Sequence, residues 1–126
     1  MKFYRCNICG NLVELVNTGG GELVCCGEPM EELVAKAEEE GREKHLPVVE
    51  QEGNKIIVKV GSIPHPMEEK HYIEWIAIAY NNRTHYSKLK PTDDPTTTFI
   101  VGEKFEKMEV YEYCNIHGLW KTVYKN

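Results

Sequence analysis

Residues 105–124 read Phe-Glu-Lys-Met-Glu-Val-Tyr-Glu-Tyr-Cys-Asn-Ile-His-Gly-Leu-Trp-Lys-Thr-Val-Tyr. Met108 and Val110 interleave with Glu106, Lys107, Glu109 and Glu112, the period of two that a strand with one face in a core requires. That predicts a strand over 105–113 with Glu112 on its polar side, and a second strand over 119–124. Working back, residues 46–51, 55–60, 72–80, 84–90 and 96–101 read the same way. The breaks between them hold Gly53-Asn54, Asn81-Asn82, Pro91-Thr92-Asp93-Asp94-Pro95 and Gly102. Short strands with turn signals at regular spacing predict a seven-stranded immunoglobulin-like β-sandwich.

The N-terminal third has a different character. Residues 2–6 and 11–16 read as short strands around Cys6-Asn7-Ile8-Cys9-Gly10, and residues 22–24 lead into Cys25-Cys26-Gly27. So few apolar residues cannot sustain a core, and a bound metal is expected to supply the missing stability. The fold class is therefore mainly β, with a small metal-stapled domain over 1–36 and the sandwich over 37–126. Between them, residues 29–41 read as linker with a short helix at most. Pro29 suits a first turn, Gly41 suits an end, and Leu33, Val34 and Ala37 stand at helical spacing. The acidic run Glu38-Glu39-Glu40 argues against helix, because it sits where the helix dipole disfavours it.

Composition narrows the function. The chain has 126 residues and a formal net charge of −5, which speaks against a nucleic-acid partner. An anionic substrate would need a local positive site to overcome that field. No apolar run approaches bilayer length and no secretory leader pattern opens the chain, so a soluble, cytoplasmic protein is expected, with no membrane partner. In that compartment cysteines point to metal before disulfides.

Cys6, Cys9, Cys25 and Cys26 form one candidate metal site. Two residues between Cys6 and Cys9 let a tight turn aim both thiolates at one ion. The glycines after Cys9 and Cys26 are free to take positive φ and turn backbone N–H groups toward sulfur. Adjacent cysteines are unusual, since neighbouring side chains diverge. Zinc in a folding role and iron both suit four thiolates.

His45, His65, His71, Cys114 and His117 form the second. Each falls at a predicted strand end or inter-strand loop, where a rigid sandwich displays functional groups. Prolines on both sides fix the backbone of His65. A lone histidine carries little information, and Cys114-x-x-His117 lacks a nearby pair to complete a zinc finger. Five nitrogen and sulfur ligands exceed what zinc takes from protein. A metal of octahedral preference would keep one position open, which suits a redox iron.

Three segments carry a resemblance: Glu43-Lys44-His45-Leu46-Pro47, His65-Pro66-Met67-Glu68-Glu69-Lys70-His71, and Cys114-Asn115-Ile116-His117-Gly118. They resemble the active-site motifs of superoxide reductases. With Cys6-x-x-Cys9-Gly10 and Cys25-Cys26-Gly27, the chain is similar to the two-iron class, the desulfoferrodoxin family, with motif order kept from about Tyr4 to Lys121. The resemblance implies a homodimer with two irons per chain and a rubredoxin-like electron donor. A desulforedoxin-like domain would hold one iron on the four N-terminal cysteines. His45, His65, His71 and His117 would form a plane around the second iron, with Cys114 axial and the opposite face open to superoxide, reduced to hydrogen peroxide without release of dioxygen. Glu43 and Lys44 match the catalytic loop pair of the family. Residues 35–38 lack the Asn-Thr that many relatives carry there, and His85 matches no ligand position. Competing readings are a non-enzymatic electron carrier and a zinc-stabilised interaction module.

Overall fold

The computed structural model describes residues 1–37 and 41–126, so the acidic run Glu38-Glu39-Glu40 lies outside the described residues. The chain forms two compact units, Met1–Val34 and Ala35–Asn126.

In the first unit, β1 (Phe3–Arg5) pairs antiparallel with β2 (Leu12–Glu14) on one side and β5 (Glu31–Leu33) on the other. A short hairpin, β3 (Val24–Cys25) with β4 (Glu28–Pro29), carries the second pair of cysteines. Only Phe3 and Cys6 of this unit are buried. The core is as thin as its composition requires.

The helical alternative for residues 29–41 does not form among the described residues. The register of β5 sets Leu33 opposite Phe3, and Val34, which a helix would have turned inward, is 82% exposed. A ladder that half-buries one leucine against Phe3 wins over a helix with no apolar face to bury. Among the described residues the single helical turn, α1 (Arg42–His45), follows immediately after Gly41.

The second unit is the expected sandwich. One antiparallel sheet has the order β10 (Thr96–Ile100), β7 (Lys55–Val60), β6 (Pro47–Glu52). The other runs β12 (Gly118–Lys125), β11 (Lys107–Cys114), β8 (Ile73–Tyr80), β9 (Arg83–Lys88). The core lies between them: Ile56, Val58, Val60 and Phe99 from the first sheet, Ile76, Ile78, Tyr80, Met108 and Val110 from the second. On the outer face of β8, Trp75 packs on Tyr86 and Tyr113. That second covering explains why β8 is apolar nearly throughout, without strict alternation.

One side chain departs from the expected pattern. Met108, Val110, Glu112 and Cys114 share a parity, so Glu112 is carried inward with them and is fully buried. Glu106 and Lys107 are exposed as expected and Glu109 is half-buried.

Strand directions gather the functional segments at one end. Pro47 pairs with Val60, Ile73 with Cys114, and Cys114 with Gly118. The start of β6, the 61–72 loop and the β11–β12 turn therefore emerge together. A register shift between Tyr113 and Cys114 ends the β11–β8 ladder there, a device that re-aims the last side chain.

Candidate metal centres

The Cys6–Cys9 turn is closed by Cys6 N–H donating to Asn11 O (2.8 Å) and Gly10 N–H donating to Cys6 O (3.0 Å). Gly10 and Gly27 both take positive φ (83° and 77°), as expected of the glycines after Cys9 and Cys26. Cys26 itself sits at φ 54°, a left-handed conformation that costs a non-glycine residue about 1 kcal/mol. That conformation resolves the difficulty of adjacent cysteines, because it turns the Cys26 side chain back toward the site of Cys25. The sulfurs of Cys6, Cys9, Cys25 and Cys26 lie within 4.8 Å of one another, with Cys9 and Cys25 Sγ 3.6 Å apart.

Their protons interact strongly. The backbone N–H of Cys9, 3.4 Å from Cys6 Sγ, leads in lowering the Cys6 thiol to about 6. Hydrogen bonding to Cys9 and Cys6 holds Cys25 up, and pushes Cys26 up to about 12. Once one sulfur ionises, its neighbours keep their protons. Four thiolates this close need a cation among them.

The second cluster is built differently. The rings of His45, His65, His71 and His117 close a circuit with centroid separations of 4.7, 4.8, 5.0 and 4.7 Å. The four imidazoles thus form a closed ring of near-equal sides. Cys114, fully buried in the sandwich core, approaches it from the protein side. All five ligand atoms lie within 4.8 Å of one another. Among the described residues these two clusters are the candidate metal groups.

Tautomers carry the argument further. His45 Nδ1 lies 2.9 Å from Gly41 O and His65 Nδ1 lies 2.6 Å from Pro66 O. A carbonyl only accepts, so each Nδ1 carries the proton and each Nε2 is left with a bare lone pair. Those two Nε2 atoms face each other at 3.1 Å. Neither can donate, and two lone pairs at that distance repel. Cis ligands at ~2.1 Å from one ion would stand about 3 Å apart, which is the spacing found. His71 Nε2, also buried, has no hydrogen-bond partner among the described residues. The donor set fits a metal ion and little else.

Burial favours the neutral form of three of the imidazoles. Desolvation lowers His45 and His117 and pushes His65 down to about 4. Desolvation also raises the Cys114 thiol, opposed by backbone N–H groups of His117 (3.4 Å from Sγ) and Ile116. Glu43 and Lys44 are exposed on α1, next to His45. His85 lies in β9, away from the cluster, with its Nε2 3.3 Å from Tyr80 Oη.

Several residues that hold the site were not singled out from the sequence. Trp120 stacks on His45 (4.8 Å, 13° between planes) and its Nε1 donates to His117 O at 3.2 Å. Asn115 accepts from Tyr72 N–H and donates to Lys70 O, both at 3.0 Å, clamping the β11–β12 turn beside His71. Gly61, at φ 87°, lets the 61–63 segment lie against α1, where Ile63 N–H and Ser62 Oγ donate to Glu43 O. Asn115 stands inside a motif already quoted; nothing in the sequence marks Trp120 or Gly61.

Residues 37–123 match the family Desulfoferrodoxin, and residues 1–33 match Desulfoferrodoxin, N-terminal domain. The chain is 52% identical to a desulfoferrodoxin homolog from Archaeoglobus fulgidus, over 97% of this chain and 96% of that protein. Its structure is similar to the superoxide reductase from Treponema pallidum, with TM-score 0.77 and 28% identity, covering 96% of this chain and 95% of the other. A superoxide reductase (1Fe-SOR) from Giardia intestinalis aligns with TM-score 0.61 and 29% identity, over 67% of this chain and 99% of its own.

Proposed function

The chain belongs to the desulfoferrodoxin family, and on that premise we propose that it is a superoxide reductase, acting at the His45, His65, His71, His117 and Cys114 cluster. The observation that carries this reading is the pair of imidazole lone pairs facing each other at 3.1 Å within a closed ring of four histidines. That ring and one buried thiol present five protein donors, and a metal of octahedral preference held there would keep one position for substrate. The four N-terminal cysteines would hold a second, rubredoxin-like iron.

His45, His65, His71, His117 and Cys114 would hold a ferrous ion as a centre of net charge about +1, which would supply the single electron of the reaction. One superoxide, that electron and two protons give one hydrogen peroxide, with no dioxygen released. Burial favours the neutral, ligating form of His45, His65 and His117. Cys114 must give up its proton on loading, and the N–H groups of His117 and Ile116 then support its thiolate.

Lys44 draws the anion against the −5 overall charge and orders a water for proton delivery. Glu43 guards the open side when no anion is there. The division is residues 1–36 as the four-cysteine domain and residues 37–126 as the catalytic one. A one-iron relative that aligns over 67% of this chain supports a non-catalytic part for the remainder. A rubredoxin-like donor, a homodimer and a cytoplasmic location complete the reading. Among the described residues no helix is long and apolar enough to cross a membrane.

The test is metal analysis and an optical spectrum, then titration of the reduced protein with superoxide. One peroxide per superoxide without dioxygen is expected; a colourless zinc protein, or dioxygen evolution, overturns the assignment. Lys44→Ala should slow the second-order reaction by about tenfold with the spectrum unchanged. An unaltered rate would remove Lys44 from the mechanism.

A further inference from the structure

Lys36 lies between the two units' main elements in sequence and belongs to no strand, yet it is fastened firmly. Its N–H donates to Leu119 O (2.9 Å) and its carbonyl accepts from Lys121 N–H (3.0 Å), a one-residue bridge onto the edge of β12. From that anchor Nζ donates to His117 O at 3.0 Å and lies 5.7 Å from the centroid of the Trp120 ring. Trp120 Nε1 donates to the same carbonyl, at 3.2 Å, and the indole stacks on His45. The ammonium is thereby tied to one ligand through its carbonyl and to a second through a shared aromatic partner.

We propose that Lys36 is a positioning residue of the histidine–cysteine site: a second fixed positive charge, held at the His45–His117 side of the ring, that favours the ferrous state and draws superoxide inward. This rests on the function proposed above. The backbone bridge to β12 and the hydrogen bond to His117 O hold the Lys36 ammonium in one place, unlike that of a free surface lysine.

Oxidation of the centre adds a positive charge beside an existing one, and the neighbouring ammonium opposes that change. Removing the ammonium should therefore lower the reduction potential. It should also weaken the local field that offsets the −5 total for an incoming anion. A lysine that only fastened the linker would do neither once its hydrogen bond was replaced. Its backbone bridge owes nothing to the side chain.

The experiment uses iron-loaded full-length protein with Lys36→Gln, which can still donate to His117 O but carries no charge, and Lys36→Arg, which keeps the charge. Optical redox titration of the histidine–cysteine centre should give a lower midpoint for Lys36→Gln and a restored one for Lys36→Arg, with the four-cysteine centre unmoved in both. The second-order rate with superoxide should fall about threefold in Lys36→Gln, with a flatter dependence on ionic strength. An unchanged midpoint and salt slope in Lys36→Gln, or a Lys36→Arg protein that behaves like Lys36→Gln, overturns the proposal. The midpoint is read without superoxide. If wild-type protein loads iron but consumes no superoxide, the function fails while the Lys36 charge is still tested.

Discussion

The two candidate centres solve opposite problems. In the first unit only two side chains, Phe3 and Cys6, are buried, and the sulfurs hold each other's protons until a cation arrives. There the metal makes the fold. In the second unit a two-sheet apolar core supports the site, and backbone carbonyls aim His45 and His65 while burial favours their neutral form. Here the fold makes the site. A centre that must be assembled suits a stabilising or relay role, and one that is preorganised suits chemistry on a substrate.

Removing the metals is the largest test of that contrast. Structural four-ligand metal sites contribute on the order of 10 kcal/mol to folding. Chelation, or Cys6→Ser, should abolish amide protection across residues 1–34 while residues 35–126 stay protected, as hydrogen exchange would read it. Equal loss of protection in both units would erase the distinction.

A finer test concerns what preorganises the second centre. A Cβ on Gly61 would clash with Ile63 O and stand 2.7 Å from Lys44 O, and φ 87° is strained for any L side chain. Both obstacles are backbone, so nothing flexible can yield. Gly61→Ala should cost about 3–5 kcal/mol in denaturant unfolding of the second unit. It should also loosen iron at the histidine site while sparing the four-cysteine centre. A variant that loses stability but keeps wild-type iron affinity would detach the 61–63 segment from ligand placement.

The sequence disclosed the strands because alternation and turn residues are local signals, and the ligands because three motifs placed them at strand ends. Its misses share a cause. Residues 29–41 suit a short helix taken alone, and only the pairing of Leu33 with Phe3 makes Glu31–Leu33 a strand. Adjacent cysteines look unable to share an ion until Cys26 is seen at φ 54°. Trp120 serves two ligands through a stack and a hydrogen bond that no periodicity encodes. Glu112 was assigned to the polar side because a glutamate in a strand usually is, whereas parity with Met108 and Val110 places it inside.

That buried glutamate offers the smallest and most discriminating test. Both its oxygens lack a hydrogen-bond partner among the described residues, and desolvation holds its pKa well above the ordinary carboxylate value. Below about pH 4 it is protonated folded or unfolded and contributes no slope. As pH rises further the unfolded chain releases this proton while the folded chain keeps it, so stability falls, by at most about 1.4 kcal/mol per pH unit, until the folded pKa is passed. The lowered histidines act in the other direction. Unfolded, they bind protons below about pH 6.5 that the folded protein refuses, so their contribution rises with pH. Comparing Glu112→Gln with wild type at each pH cancels the histidine part and leaves the carboxyl alone. In metal-free protein, with unfolding followed by the fluorescence of Trp75 and Trp120, the variant should gain steadily on wild type between pH 5 and 7, the slope on the order of 1 kcal/mol per unit. Parallel profiles would mean that Glu112 is ionised and paired in the folded state. The second centre would then rest on a buried charge, and the contrast with the first, where charge waits for a metal, would narrow.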